Sequence, residues 1–362
     1  MFIERVEIIK VVVPMKPDTV HSEGVNDTLC APDPVSGRVL NFYEFPKWIL
    51  LLHADNGLVG LGEPRRGDLG SLLRASADRL TGCSVADCPL GNLPIPRDLV
   101  YDGFEMAWYD LLARHLEVPV WHLLGGKRAE QVPVDYWMGR CTPEDTARRT
   151  ETACTLGFQG VKMKCKLGDA IAERVGAVRS VAPHFSIILD ANERFYDAES
   201  ALQVSRSLDR FERVILESPI PQHMLDSYVE LRAKSKHEIA LHLSSLTELL
   251  AALRLDAADH YNLLGSIREF VDWANVAHTA KRMTWRGTGM DFGIRDMSSV
   301  HAAVAAGCAV PCDIIGHVMR EDDLIVHPIP IINGFIRAPV GPGLGVELDL
   351  DAVDKYRVAK PC

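Results

Sequence analysis

From residue 157 to residue 221 the chain reads GFQGVKMKCKLGD, then SIILDANERF, then VILESPIP. These are three short apolar runs, separated by helix-like stretches at about 169–182 and 197–210. Strand, helix, strand, helix, strand is the pattern of parallel βα units. It continues through IALHLS (239–244), HYNLL (260–264), RMTWRGT (282–288) and AVPCDI (309–314), with VPVDYW from about 132 opening the series. Eight parallel strands predict a closed barrel, whose active sites form at the C-terminal strand ends.

The chain before the barrel follows a different pattern. Residues 2–13 and 47–54 alternate as strands, and the second is followed by the turn DNG and the strand LVGLGE, which together read as an antiparallel meander. Residues 67–124 read as mostly helical, broken at PLGNLPIP, and Gly125–Gly126 punctuate the passage into the barrel. Between the first two strands lies a long segment rich in Pro, Gly, Asp and Ser; such loops in compact domains are functional or disordered.

Charge falls where a barrel would use it. Lys162, Lys164 and the neighbouring Lys166 end one run, Asp190 with Asn192 the next, and Glu217 the third, at intervals of 28 and 27 residues from Lys162. Side chains two apart on a strand share a face, so Lys162 points with Lys164, and Asp190 with Asn192. A solvated loop charge explains any one of these residues, but not all of them in register. Two lysines and two carboxylates in one mouth point to a divalent cation held by Asp190 and Glu217, with a lysine nearby as base.

GFxxxKxK, LDAN and ExP in this order resemble the enolase superfamily, in its mandelate racemase and muconate-lactonising branch. GLVGLGEP (57–64), FEMAWYDLLARHLEVPVWHLLGG (104–126) and GPGLGVELD (341–349) are similar to that branch's capping domain and tail, so the likeness covers nearly the whole chain. It implies an α/β fold: a (β/α)7β TIM-like barrel over 126–335, and an α+β capping domain over 1–125 completed by the tail 336–362. It also implies a reaction, removal of the proton next to a carboxylate, with Mg2+ or another divalent cation taking up the enolate charge. In the KxK pattern Lys164 would be the base and Lys162 the charge that tunes it. The long early loop would close over the mouth, with Lys16, His21 and Arg38 as candidates to meet an anionic ligand.

The sequence departs from this pattern in two places. His242 stands where the branch has its third carboxylate ligand, and imidazole suits softer ions than magnesium. His242 is therefore a candidate third ligand, weakly binding, or an acid acting on the substrate. The second base is also missing, since the sixth strand offers Asn262 and Leu264 and the seventh Arg286. Arginine stays protonated, so Arg286 is expected to clamp a carboxylate. Asp313 is expected to touch the substrate from the eighth strand, alongside Asn262 and Asn192. Asp291 is a further polar candidate or a helix cap.

Racemisation by two bases is disfavoured by this set, which points to a dehydratase-like lyase or isomerase acting on an acid sugar. The competing readings are a repurposed scaffold that binds a carboxylate without the usual metal chemistry, and a Schiff-base lyase using Lys164 or Lys162.

Bulk properties narrow the partners. The 362 residues carry a formal charge of −10, which excludes nucleic acid and anionic membranes as natural partners. Nine cysteines with no CxxC pair read as reduced thiols, not a zinc site. With no signal-peptide pattern at MFIERVEIIKVVVP, the expectation is a cytoplasmic homo-oligomer acting on a small carboxylate.

Overall fold

The structure is a computed structural model that describes residues 1–17, 19–23, 25, 46–314 and 316–358. Arg38 and most of the early loop lie outside the described residues. Two sheets dominate. The first is antiparallel, in the order β1 (Ile3–Val11), β2 (Lys47–Ala54), β3 (Val59–Gly62). It is covered by α1 (Gly70–Leu80) and α2 (Tyr101–His115), and the short α3 (Val120–Leu123) leads away from it. Added Cβ atoms on Gly60 and Gly62 would come within 2.2 Å of the carbonyl oxygens of Ala107 and Gly103. Glycine at both positions lets β3 lie flush on α2, and this contact sets the position of the next residue, Glu63.

The second sheet is parallel and seven-stranded: β5 (Tyr136–Met138), β6 (Gly160–Lys164), β7 (Ser186–Asp190), β8 (Val214–Glu217), β9 (Glu238–Leu243), β10 (His260–Leu263) and β11 (Met283–Arg286), in sequential order. Helices α4 (Pro143–Thr155), α5 (Ile171–Val181), α6 (Ala198–Ser207), α7 (Leu225–Lys234), α8 (Leu246–Leu255) and α9 (Ile267–Thr279) fill the crossovers. After β11 come α10 (Gly293–Ala306), α11 (Gly316–Met319) and, near the tail, α12 (Leu350–Tyr356). Strands covered on both faces need near-continuous apolar sequence, which SIILD and VILE supply. Local chemistry starts the helices close to the strand ends. Ser245 with Glu248, and Ser266 with Glu269, form capping boxes on α8 and α9, while Thr142 and Asp197 cap α4 and α6.

Two sequence expectations need correction here. The run from 132 does not form one strand. Its first part, β4 (Gln131–Pro133), pairs antiparallel with β12 (Phe335–Arg337), and only β5 joins the parallel sheet. The run 309–314 is not a regular strand either. It makes one parallel bridge, Val134 to Cys312, and two backbone hydrogen bonds to neighbouring strands, Cys312 N to Pro133 O at 2.8 Å and Asp313 N to Arg286 O at 3.3 Å. Those contacts tie both edges of the curled sheet to one segment. The tail runs back to α2, where Asp110 accepts from the backbone of Leu344 at 2.7 Å and of Leu61 at 2.8 Å. No helix among the described residues is long and apolar enough to cross a membrane.

Candidate active site

Alternation along β6 sends Val161 and Met163 outward to the helices and turns Lys162 and Lys164 inward. Register places Lys164 beside Asp190, and Asp190 beside Glu217. The Lys162 ammonium lies 2.8 Å from Glu217 Oε2, 2.8 Å from Asp313 Oδ2 and 3.3 Å from Asp190 Oδ2. Lys164 Nζ donates a short hydrogen bond to Asp190 Oδ2. All five groups are buried. Asp190 Oδ1 accepts from the backbone of Asn192 at 3.0 Å, and Asn192 turns there at a left-handed φ of 45°. Arg174, buried behind the strand, donates to the carbonyls of Lys164 and Gly139 at 2.8 and 3.0 Å and so fixes the β6 end.

Burial alone would lower the Lys162 pKa, but Asp313, Glu217 and Asp190 outweigh it and hold the amine charged well above the usual lysine value. Burial would likewise raise Asp190, yet Lys164 and Lys162 pull it below the ordinary carboxylate range. Glu217 goes the other way. Burial, then the Asp190 charge, push it up to about 7 against the pull of Lys162. Asp190 is thus the readier of the strand-end pair to ionise, and the three carboxylates favour the charged form of Lys162.

The other predicted residues divide. Asn262 donates to Glu217 Oε1 at 2.8 Å, so it supports that carboxylate. His242 Nδ1 lies 3.7 Å from the same oxygen, and its backbone N–H donates to Gln222. A cavity of about 450 Å³ opens beside His242, bordered by Gln222, His223, Thr247 and Leu264. His21 stands at the end of β5, where its Nδ1 accepts from the Arg140 backbone at 2.9 Å and Arg149 holds its carbonyl. Lys16 donates to the His317 carbonyl at 3.3 Å.

Arg286 is a correction. Asn262 pairs in register with Trp285, so Trp285 shares the inward face and Arg286 points to the helices. There it donates to Ser299 Oγ at 3.1 Å and the Gly265 carbonyl at 3.2 Å, with Phe270 beneath the guanidinium. It holds α9 and α10 in place and does not reach a ligand in the mouth.

Asp291 is corrected as well. It does not cap α10; it joins a second ionic cluster with Lys47, Glu63, Arg295 and Asp102. Sequence reasoning missed Lys47 and Glu63. Glu63 did carry a signal, a charge ending the apolar run LVGLG. Asp135 was missed too. It is buried below Lys162, accepts from Ser186 Oγ at 3.2 Å, and is pushed up to about 8 by burial and by Asp313.

Residues 145–352 match the family model for the enolase C-terminal domain-like fold, more than half of the chain. The chain belongs to the enolase superfamily. Its relatives lie in the mandelate racemase and muconate-lactonising branch and are enzymes. It is 23% identical to N-succinyl-L-Arg/Lys racemase of Bacillus cereus over 95% of this chain and 98% of that one. It is 28% identical to o-succinylbenzoate synthase of Bacillus subtilis over 70% of this chain and 69% of that one. The crystal structure of muconate cycloisomerase from Pseudomonas fluorescens superposes with a TM-score of 0.81 at 21% identity, covering 98% and 99% of the two chains. That last likeness concerns fold.

Membership raises the question of a divalent ion, and the residues answer it in part. Asp190 and Glu217 are adjacent, buried and oxygen-only, the chemistry magnesium takes. Asn192 Oδ1 is buried beside them without a hydrogen-bond partner. A carboxylate pushed up to about 7 by burial and then by its neighbour's charge is one that a cation would stabilise. The set is one short, however. Among the described residues no three His, Cys, Asp or Glu groups gather closely enough to hold a metal.

Proposed function

We propose that this enolase-superfamily chain removes the proton next to a substrate carboxylate with Lys164 as its single base, as a lyase or an isomerase. The racemase, synthase and cycloisomerase among its relatives support metal-dependent chemistry of this class. The observation that carries the reading for this chain is the strand-end constellation, with Lys164 beside Asp190 and Lys162 held as a cation within 3.3 Å of Asp190 and Glu217. Asp190 and Glu217 would hold the ion, bordered by Asn192 and His242, and when bound it would supply Lewis-acid stabilisation of the enolate.

The sixth strand carries Asn262, with Leu264 just past its end, and offers no second amine, so elimination or cycloisomerisation suits this chain better than two-base racemisation. Within that class, dehydration of an acid sugar needs an acid for the departing hydroxyl. His242, bordering the 450 Å³ cavity, is the group placed to give it. Residues 1–125 with the tail would cap the mouth of a (β/α)7β barrel over 126–335, as the Asp110 hydrogen bonds to Leu61 and Leu344 support.

The test is solvent-deuterium exchange by NMR across a library of hydroxy and N-acylated acids, with magnesium and with manganese. Exchange of the α-proton in the parent and its loss in Lys164→Ala is the expected result. Exchange that survives Lys164→Ala would refute the assignment. Binding of acids with no exchange under either metal would favour the carboxylate-binding scaffold instead.

A further inference from the structure

The Lys162 ammonium lies where three strand-end carboxylates converge. Glu217 and Asp313 each approach to 2.8 Å and Asp190 to 3.3 Å. Glu217 and Asp190 come from adjacent strands, while Asp313 comes from the 309–314 segment, which bonds to β11 on the far side of the sheet. A divalent ion would bind Asp190 and Glu217 at about 2.0–2.6 Å. Within that reach of both carboxylates, it would fall close to the point that Nζ now holds. Two cations in contact in a buried site repel strongly, so both cannot use the pair in this arrangement.

Lys162 has a second anchor that the ion does not require, because Asp313 lies outside the adjacent pair. Lys164 reaches Asp190, whereas it is Lys162 that Asp313 holds. Resting on the reading that Asp190 and Glu217 form a cation site, we propose that the Lys162 ammonium competes with a divalent cation for that pair. Asp313 is the positioning residue onto which Lys162 withdraws when the ion enters. The site would then exchange an internal organic cation for a metal, and Lys162 would set how readily the metal binds.

Manganese titrations, read by water-proton relaxation at fixed pH without substrate, separate this from general electrostatics. Lys162→Met and Lys164→Met each remove one buried lysine, and it is Lys162 that lies against both Asp190 and Glu217. Lys162→Met should therefore bind Mn2+ about tenfold or more tighter than the parent, with Lys164→Met well short of that gain. Asp190→Asn should abolish binding. Asp313→Asn should weaken it in the parent, yet change little in the Lys162→Met background, because the anchor then has nothing to hold.

Equal gains in the two lysine variants, or an Asp313 effect unchanged by Lys162→Met, would overturn the proposal while leaving the cation site standing. No binding in any variant would sink the cation site as well. A manganese-soaked crystal of the parent gives an answer independent of variant folding. The anomalous peak should lie between Asp190 and Glu217 with Lys162 on Asp313 alone, and a peak there with Lys162 still against Glu217 would refute the competition.

Discussion

Two lysines in this protein sit buried between carboxylates, and their surroundings differ. Lys47 bridges Glu63 and Asp291 where the N-terminal sheet meets α10. There the carboxylates are also held by backbone amides. Glu63 accepts from Phe292 and Arg295 N–H groups, both at 2.9 Å, and Asp291 from Gly289 at 2.7 Å. Glu63 thus caps α10 from another sheet, and each oxygen has a fixed geometry. Around Lys162 the partners are mainly side chains, and Asp313 Oδ1 and Asn192 Oδ1 are buried without hydrogen bonds. The pKa directions follow. Burial would raise Asp291, but Lys47 and Arg295 drive it well below the carboxylate range, while Glu217 is pushed up to about 7. Similar ingredients form a fastener where both oxygens of each carboxylate on the lysine are bonded, and a candidate site where some oxygens are left over.

The comparison breaks first at Lys47. Removing one partner of a buried ion pair leaves an uncompensated charge and costs about 3–5 kcal/mol. Lys47→Met should lose that much stability in urea unfolding, and its transition should show the N-terminal sheet separating first. Lys162→Met should lose clearly less, because Lys164 still neutralises Asp190. Equal losses in the two variants would erase the distinction between fastener and site.

A smaller effect sharpens it from the other side. His242→Asp restores a third carboxylate next to Glu217, and the added charge should tighten magnesium binding by about tenfold in calorimetry. An affinity no better than the parent's would count against Asp190, Glu217 and position 242 sharing one ion.

How much of this was legible in the sequence depends on range. The strand ends could be read because the chemistry repeats once per βα unit. Lys162, Asp190 and Glu217 therefore announce their common face before any contact is known. Arg286 could not be read the same way. Unit spacing fixes a strand's level to within a residue or so, and a slip of one residue turns every side chain to the opposite face. Asp313 was legible as inward-facing, but its partner was not; the lysine it holds is 151 residues away. Lys47 and Asp291 meet across 244 residues, on elements whose own patterns give no hint of the other. The early loop, with Arg38, lies outside the described residues.

The last prediction concerns the same interface as Lys47 but a neutral partner. Glu105 on α2 is buried against the start of α9, where its carboxyl accepts from the Arg268 backbone at 3.2 Å and one oxygen has no partner. Burial pushes its pKa from 4.5 up to about 7, against the pull of the Ser266 and Arg268 hydrogen bonds. A carboxyl whose folded pKa is raised binds more protons folded than unfolded between those two values. Stability contributed by this group is therefore full below about 4.5 and falls as pH rises toward 7. Glu105→Gln keeps an acceptor for Arg268 and cannot ionise, but it buries an amide whose second donor lacks a partner. The net gain should be small, on the order of 1 kcal/mol at pH 8, and should reverse near pH 4.5, where ionisation no longer penalises the parent and the unpaired amide donor still penalises the variant. Urea midpoints measured across that range decide it. Parallel curves would mean that Glu105 titrates normally, and that the interface is wetter than its burial implies.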